Sequence, residues 1–330
     1  MILFYAALSS FILSLFLVPV TIRISARYNI LKPAKSEHSK PCIGGVGIYA
    51  AFLMAVLSSL FFIELPIMKL SGVILASFII LLLGLIDDIK DLRPLLKVSG
   101  ELLGIFAMIF FGFFTRIAII PVWANIFITV IWALFITNAF NLLDIMDGLT
   151  SGLVIIISSS LLVIAVINND IFSCVILTAL IGAHAGFLKY NYPPAKVYMG
   201  DTGSLFSGFL LALAAINISY APMERKLALL TPVLAMSLPI YDTLFLIFMR
   251  VKKKKPIFNK TRDHFAMRLT AMGYSIERSI WIMYCFSVFL AFSVLIVAFS
   301  GNLVSSIALG VVGFVFIFIS KKIGMVNVDE

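Results

Sequence analysis

Charge is what this sequence has least of. Only 12% of its 330 residues are Asp, Glu, Lys or Arg, about half the share of a soluble domain. That excludes an ordinary water-exposed surface. Histidine and cysteine are equally scarce, at 3 residues each. Cys42, Cys174 and Cys285 lie far apart with no metal-ligand spacing, so neither a disulfide framework nor a zinc site is expected. No connection exceeds about 30 residues, so an appended soluble domain is not expected. The first apolar run lacks a basic leader and a small-residue cleavage site, which favours a retained helix over a cleaved signal. No internal repeat is evident, which weighs against an inverted-repeat transporter.

What the chain does have is hydrophobicity, at 62%. Apolar runs of about 20 residues recur along it, the signature of a polytopic helical membrane protein. The expected fold is all-α, a transmembrane helical bundle of about eleven spans. They fall near 2–22, 43–63, 70–86, 98–114, 122–138, 149–167, 171–188, 205–220, 227–249, 279–299 and 303–320.

The basic residues orient these spans. One set of connections carries 21 of the 25 Lys and Arg, and the other set keeps only Lys69, Arg116, Arg225 and Lys226. The positive-inside rule makes the rich side cytoplasmic. The N-terminus is then outside and the C-terminus cytoplasmic. The same asymmetry accounts for the net charge of +9 without nucleic acid as a partner. Asp87, Asp88, Asp91, Asp144, Asp147, Asp201 and Asp263 all fall on the cytoplasmic side. Carboxylates crowded at one membrane edge need a wet cavity, basic partners or a divalent cation.

Five segments carry them or flank them. Asp87-Asp88 is followed by Pro94, which breaks the helix and lets Lys97 fold back. In Asn138-x-x-Asn141-x-x-Asp144-x-x-Asp147-Gly148, a helix places the first three on one face. A tightened turn would gather all four, with Gly148 ending the helix. In Tyr198-Met-Gly200-Asp201-Thr-Gly203-Ser204, the glycines permit close backbone approach. Asp201 is a hard-metal ligand candidate, and Tyr198 offers a flat face to a base. Asp263-His264-x-x-x-Arg268 puts a histidine and an arginine four apart, and arginine suits phosphate. Lys35 to Gly45 joins basic residues to a helix start, whose free N–H groups suit an anion. Each has a plainer reading as a cap, a turn or a solvated loop. Lys252 to Lys255 read first as anchors to anionic lipid. His184 reads as a buried, satisfied histidine, Glu101 as interfacial or a neighbour of Lys97, and Asp242 as internally paired or functional.

Together these segments resemble the polyprenyl-phosphate N-acetylhexosamine-1-phosphate transferases of the glycosyltransferase 4 family, including the O-antigen and teichoic-acid initiating enzymes. The resemblance covers nearly the whole chain. It implies a single integral membrane catalytic domain over residues 1–330, with a long cytoplasmic loop at about 250–278. It implies transfer of a sugar-1-phosphate from a UDP-N-acetylhexosamine to polyprenyl phosphate, with release of UMP. The implied cofactor is Mg²⁺, with Mn²⁺ as a substitute. The implied setting is the inner or plasma membrane, with membrane lipid around the chain and a homodimer left open.

By position in the motifs, Asp201 resembles the principal metal ligand, with Asn141 beside it. Asp87 resembles the base or orienter of the lipid phosphate, Asp88 its companion and Lys97 a phosphate contact. Tyr198 takes the uracil-stacking place. Asn138, Asn141, Asp144 and Asp147 fall in the substrate pocket, and His264 and Arg268 at the diphosphate. Two departures stand out. The family's His-x-His-His-Arg reads His264-Phe-Ala-Met-Arg268 here, which disfavours the UDP-MurNAc-pentapeptide branch. Pro41-Cys-Ile-Gly-Gly45 replaces a longer Pro-x-Pro-Arg-x-Gly-Gly run. A transporter of anionic metabolites is the alternative from another class, motivated by the basic loops and Asp242.

Overall fold

A computed structural model describes residues 1–28, 30–32, 40–220, 225–254, 263–326 and 328. The expected residues Lys35 to Ser39, Lys255, Lys260 and Arg262 lie outside that set. The chain divides into two compact units, Met1–Ser219 and Tyr220–Glu330.

The first unit is built from eight helices: α1 Ile2–Arg27, α2 Gly44–Ser59, α3 Ile67–Lys90, α4 Pro94–Phe110, α5 Val122–Leu143, α6 Leu149–Ile167, α7 Ile171–Asn191 and α8 Gly200–Asn217. Leu31–Lys32 and Lys40–Pro41 form a short antiparallel pair between α1 and α2. Helix α1 packs on α7 through polar contacts that apolar lipid cannot compete for. Ser10 Oγ and Ser14 Oγ donate to the Ala179 and Ala183 carbonyls, each at 2.7 Å. Gly182 and Gly186 lie on the same face of α7, and a Cβ on either would collide with the α1 backbone. This is the small-x-x-x-small packing of membrane helices.

Helix ends in this unit segregate by polarity. The starts of α3 and α7 and the end of α8 meet in a small network. There Lys69 Nζ donates to Asn217 Oδ1 at 2.9 Å, and Asn217 Nδ2 to Asp170 Oδ2 at 3.2 Å. Asp170 also caps α7 by accepting from the Ser173 amide. The ends of α3, α5 and α7 and the starts of α4, α6 and α8 carry the Asp and Asn motifs. Odd helices bring the chain to that side and even ones take it away.

The second unit holds a 3₁₀ turn at Lys226–Leu230, then α9 Thr231–Ala235, α10 Ser237–Lys252, α11 Phe265–Ala271, α12 Ile276–Phe299 and α13 Asn302–Gly324. The segments Lys226–Ala235 and Ser237–Lys252 bend by 69° at their junction. Tyr241 Oη and Ser320 Oγ, 2.8 Å apart, tie α10 to α13. Lys252 and Lys321 line an apolar cavity of about 490 Å³ beside this tie.

Each expected span overlaps helix, but 227–249 is broken into three pieces, and the protein is an all-helical membrane protein. Their lengths differ from expectation. Among the described residues, seven helices are long and apolar enough to cross a membrane, or eight if the bent pair is one span. Helix α2, at 16 residues, is roughly 24 Å long against a hydrocarbon core of about 30 Å. Its start agrees with the expected span, but the helix ends at Ser59 and residues 60–63 turn, because an apolar run in sequence does not reveal where its helix stops.

Candidate active site

Three motifs of the first unit converge on one ammonium group. Lys97 Nζ donates to Asp87 Oδ2 at 2.8 Å, to Asp201 Oδ2 at 2.8 Å and to Asn141 Oδ1 at 3.1 Å. A lysine has three N–H donors, and all three are used. Helix breakers put them there. Asp91, in the left-handed region at φ 44°, ends α3, and Pro94 opens α4 at its first turn. The resulting corner returns Lys97 across the end of α3, as the position of Pro94 suggested. Asp87 is held in turn by the Leu92 amide, which donates to Oδ1 at 2.6 Å. The side chains are sheltered but open to ligand, with Asp201 26% and Lys97 15% exposed.

The neighbouring Asp88 does something different. Its Oδ1 accepts from the Asp201 amide at 2.9 Å. Its Oδ2 accepts from the Thr202 amide at 2.9 Å and the Thr202 hydroxyl at 2.6 Å. A carboxylate there satisfies the free amides of the α8 start and meets its positive dipole end. The plainer sequence reading had Asp201 as that cap. The structure gives the cap to Asp88 and leaves the Asp201 side chain to Lys97. Gly200 makes the approach possible. Its φ is +72°, and a Cβ there would overlap the Cys42 carbonyl and the Asp88 carboxylate.

The Asn/Asp series is spread rather than gathered. Asn138 Nδ2 donates to Glu101 Oε2 at 2.6 Å. Asn141 holds Lys97 through Oδ1 and donates from Nδ2 to Ser204 Oγ at 2.9 Å. Asp144 is the C-cap of α5, which ends at Leu143. Asp147 Oδ2 accepts from the Ala195 amide at 2.9 Å, with Lys40 Nζ 3.8 Å away. The helix therefore stops before Asp147. Gly148, at φ 80°, precedes α6 instead of ending α5.

Tyr198 sits on the loop that Asp147 steadies, with Lys40 Nζ 5.3 Å from its ring centre. Burial, and then the Asp147 carboxylate, push its phenol above the usual value, so it is neutral at physiological pH. The anion-binding expectation for the α2 start is corrected. The Gly44 and Gly45 amides donate to the Tyr198 and Met199 carbonyls at 3.1 and 2.9 Å, and the Tyr198 amide to Pro41 O. Those donors hold the loop.

His264 and Arg268 belong to the second unit. His264 Nδ1 lies 2.8 Å from Asp242 Oδ2, and Asp242 Oδ1 accepts from the Phe265 amide at 2.7 Å. Asp242 is thus internally paired. Arg268 is 0% exposed. Its Nε and Nη2 donate to Asp263, and its Nη1 to the Ile323 and Val326 carbonyls at the end of α13. Its donors are committed to the fold, not presented to a ligand. His184 is buried, as its plainer reading held, but only half satisfied: Ser207 Oγ lies 3.0 Å from Nε2, while Nδ1 has no hydrogen-bond partner among the described residues. The sequence reading assigned no role to Thr202, Ser204 or Asn191. Thr202 and Ser204 lie inside the Tyr198–Ser204 motif and Asn191 seven residues before it, but only the partners reveal their work. Asn191, for example, accepts from the Gly148 amide and donates to Val197 O.

Two carboxylate oxygens and one carboxamide oxygen around a single point are hard donors of the kind a small divalent cation takes. Among the described residues, no three His, Cys, Asp or Glu side chains form a ready-made cage. A cation completed by substrate phosphates fits that donor set.

Residues 70–219, which contain Asp87, Asp88, Lys97, Asn141, Asp147, Tyr198 and Asp201 but not Lys40, the α2 start or the His264 and Arg268 segment, match the sequence model of glycosyl transferase family 4. That match spans 150 of the 330 residues. The chain is 28% identical to a probable undecaprenyl-phosphate N-acetylglucosaminyl 1-phosphate transferase of Bacillus subtilis, over 98% of this chain and 92% of the relative. It is also 28% identical to the decaprenyl-phosphate N-acetylglucosaminephosphotransferase of Mycobacterium leprae, over 76% of this chain and 72% of that one. A phospho-N-acetylmuramoyl-pentapeptide-transferase of Chlamydia trachomatis is 45% identical over 83 residues, 24% of this chain and 25% of the relative. The relatives' names and the apolar helices mark this chain as a membrane-embedded phosphotransferase.

Proposed function

We propose that this phosphotransferase moves N-acetylhexosamine-1-phosphate from a UDP-sugar to polyprenyl phosphate, releasing UMP and starting a cell-surface glycan. The observation that carries the reading is the convergence of Asp87, Asn141 and Asp201 on Lys97. Phosphoryl transfer needs positioning and charge neutralisation more than covalent help. Asp201 and Asn141 would hold Mg²⁺, which neutralises diphosphate charge when bound. Lys97 adds a second positive charge nearby. Asp87, fixed by the Leu92 amide, orients the lipid phosphate. Asp88 serves by holding the start of α8. Tyr198 presents its ring to uracil from the loop that Asp147 steadies, and Asn138 and Asp144 line the pocket. His264 and Arg268 shape the second unit's loop. The relatives' names favour N-acetylglucosamine as the sugar.

The topology goes with this reading: eleven crossings of the plasma membrane, with the motif side cytoplasmic. The charge asymmetry supports it. A second reading, transfer of phospho-N-acetylmuramoyl-pentapeptide, draws support from the local 45% identity. Purified protein with polyprenyl phosphate and Mg²⁺ is offered UDP-GlcNAc, UDP-GalNAc or UDP-MurNAc-pentapeptide, and UMP is measured. Release from a UDP-HexNAc that needs both lipid and Mg²⁺ is the expected outcome. Release from the pentapeptide donor alone selects the second reading, and no release from any donor overturns both.

A further inference from the structure

Lys97 occupies the point at which its three oxygen partners would meet a divalent cation. An ammonium and such a cation repel each other and cannot share those acceptors. When a cation takes them, Lys97 loses all three hydrogen bonds at once, in a sheltered place where an unpaired charge is costly. It needs another acceptor nearby.

Glu101 supplies one. It lies four residues after Lys97 on α4, so the two side chains share a face and their Cβ atoms are about 5–6 Å apart. Glu101 is 0% exposed. Its Oε2 is held by Asn138 Nδ2 at 2.6 Å. Its Oε1 is buried and has no hydrogen-bond partner among the described residues. A buried carboxylate oxygen without a donor is rare and calls for an explanation. Asn138 fixes the carboxylate plane and leaves this one oxygen open. The oxygen that lacks a donor and the lysine about to lose its acceptors are neighbours on one helix face.

We infer that Glu101 is a positioning residue: it receives the Lys97 ammonium when a divalent cation takes Asp87, Asn141 and Asp201. The inference rests on the metal reading above and goes beyond it. Lys97 is then a resident counter-ion in the cation-free protein. After the exchange it is parked one turn along α4, with its charge still beside the diphosphate. Glu101 lowers the cost of the exchange and so sets how much Mg²⁺ the protein needs.

The test is a double-mutant cycle on the full-length protein in detergent, without substrate. Its readout is the Mg²⁺ concentration that gives half of the Mg²⁺-induced rise in melting temperature. Lys97→Met removes the competitor and lowers that concentration. Glu101→Leu removes the second seat and raises it about tenfold, the scale of one charge-assisted hydrogen bond. Glu101→Gln, which keeps an acceptor oxygen, falls between Leu and wild type. In the Lys97→Met background, Glu101→Leu has no further effect, because Glu101 acts through Lys97. An equal shift from Glu101→Leu in both backgrounds marks a simple field effect and overturns the inference. So does no shift in either. Should Glu101→Leu not fold, Glu101→Gln carries the same cycle, and a rise equal in both backgrounds again overturns it. Asp201→Asn separates the two claims. A Mg²⁺ response that survives this change overturns the metal reading itself, whatever Glu101 does.

Discussion

The two units hold a buried cation in opposite ways. In the first, Lys97 rests on side-chain oxygens from three helices and stays 15% exposed. In the second, Arg268 is wrapped by Asp263 and two backbone carbonyls and is 0% exposed. Side-chain acceptors can rearrange around a new ligand. Backbone carbonyls at the end of a helix cannot leave without undoing that helix. Lys97 is therefore suited to exchange and Arg268 to holding α13, although both are cations in acidic motifs.

Substitution on each side tests this contrast. The largest effect is expected from Asp201→Ala, which removes an acceptor at the convergence point. UMP release should fall about 10³-fold while the melting temperature holds. Arg268→Ala should act the other way. It leaves the Asp263, Ile323 and Val326 carbonyls without their buried donor and the Asp263 carboxylate with Lys253 alone, at a cost of about 3–5 kcal/mol. The sign is a lower melting temperature and less folded protein, with remaining activity tracking the folded fraction. Should Arg268→Ala keep its melting temperature and lose turnover, the contrast fails and Arg268 acts on substrate after all. Asp88→Ala is smaller, at about 1–2 kcal/mol for a lost helix cap. It should lower turnover through a displaced Asp201, with Asp88→Asn in between.

The smallest effect is a pH dependence in the second unit. Burial raises the Asp263 pKa, but its bonds to Lys253 and Arg268 outweigh that and hold it below the usual carboxylate range. A depressed folded value contributes stability above the unfolded pKa of about 3.9, lost as pH falls through the folded value. The melting-temperature gap between wild type and Asp263→Asn should be full near neutrality and close on acidification below about pH 4. A gap that widens in acid would reverse the sign argued here.

Much of the first unit was legible in the chain. Pro94 and the turn after Asp87-Asp88 mark a corner that returns Lys97, and the corner exists. Asp201, with glycines on either side, reads as a ligand beside close backbone, and its side chain does reach the centre. The Asn/Asp series was misread at its end because a three-residue period says nothing about where a helix stops. Asp144 leaves α5, and Asp147 turns to the 192–199 loop. Spacing alone does not tell the neighbours Asp87 and Asp88 apart. They point to different partners, and one of those partners is 113 residues away.

By itself the sequence determined the solvent of this protein, the helices that solvent demands and the places where they break. Those follow from hydropathy and local backbone preference, which neighbouring residues settle among themselves. Only the tertiary structure decided which polar groups are committed and which remain exchangeable. Lys97 meets an acceptor 104 residues away, and Arg268 meets carbonyls 55 and 58 residues away. A hydrogen bond across such a separation depends on how whole helices pack, and no local pattern records it.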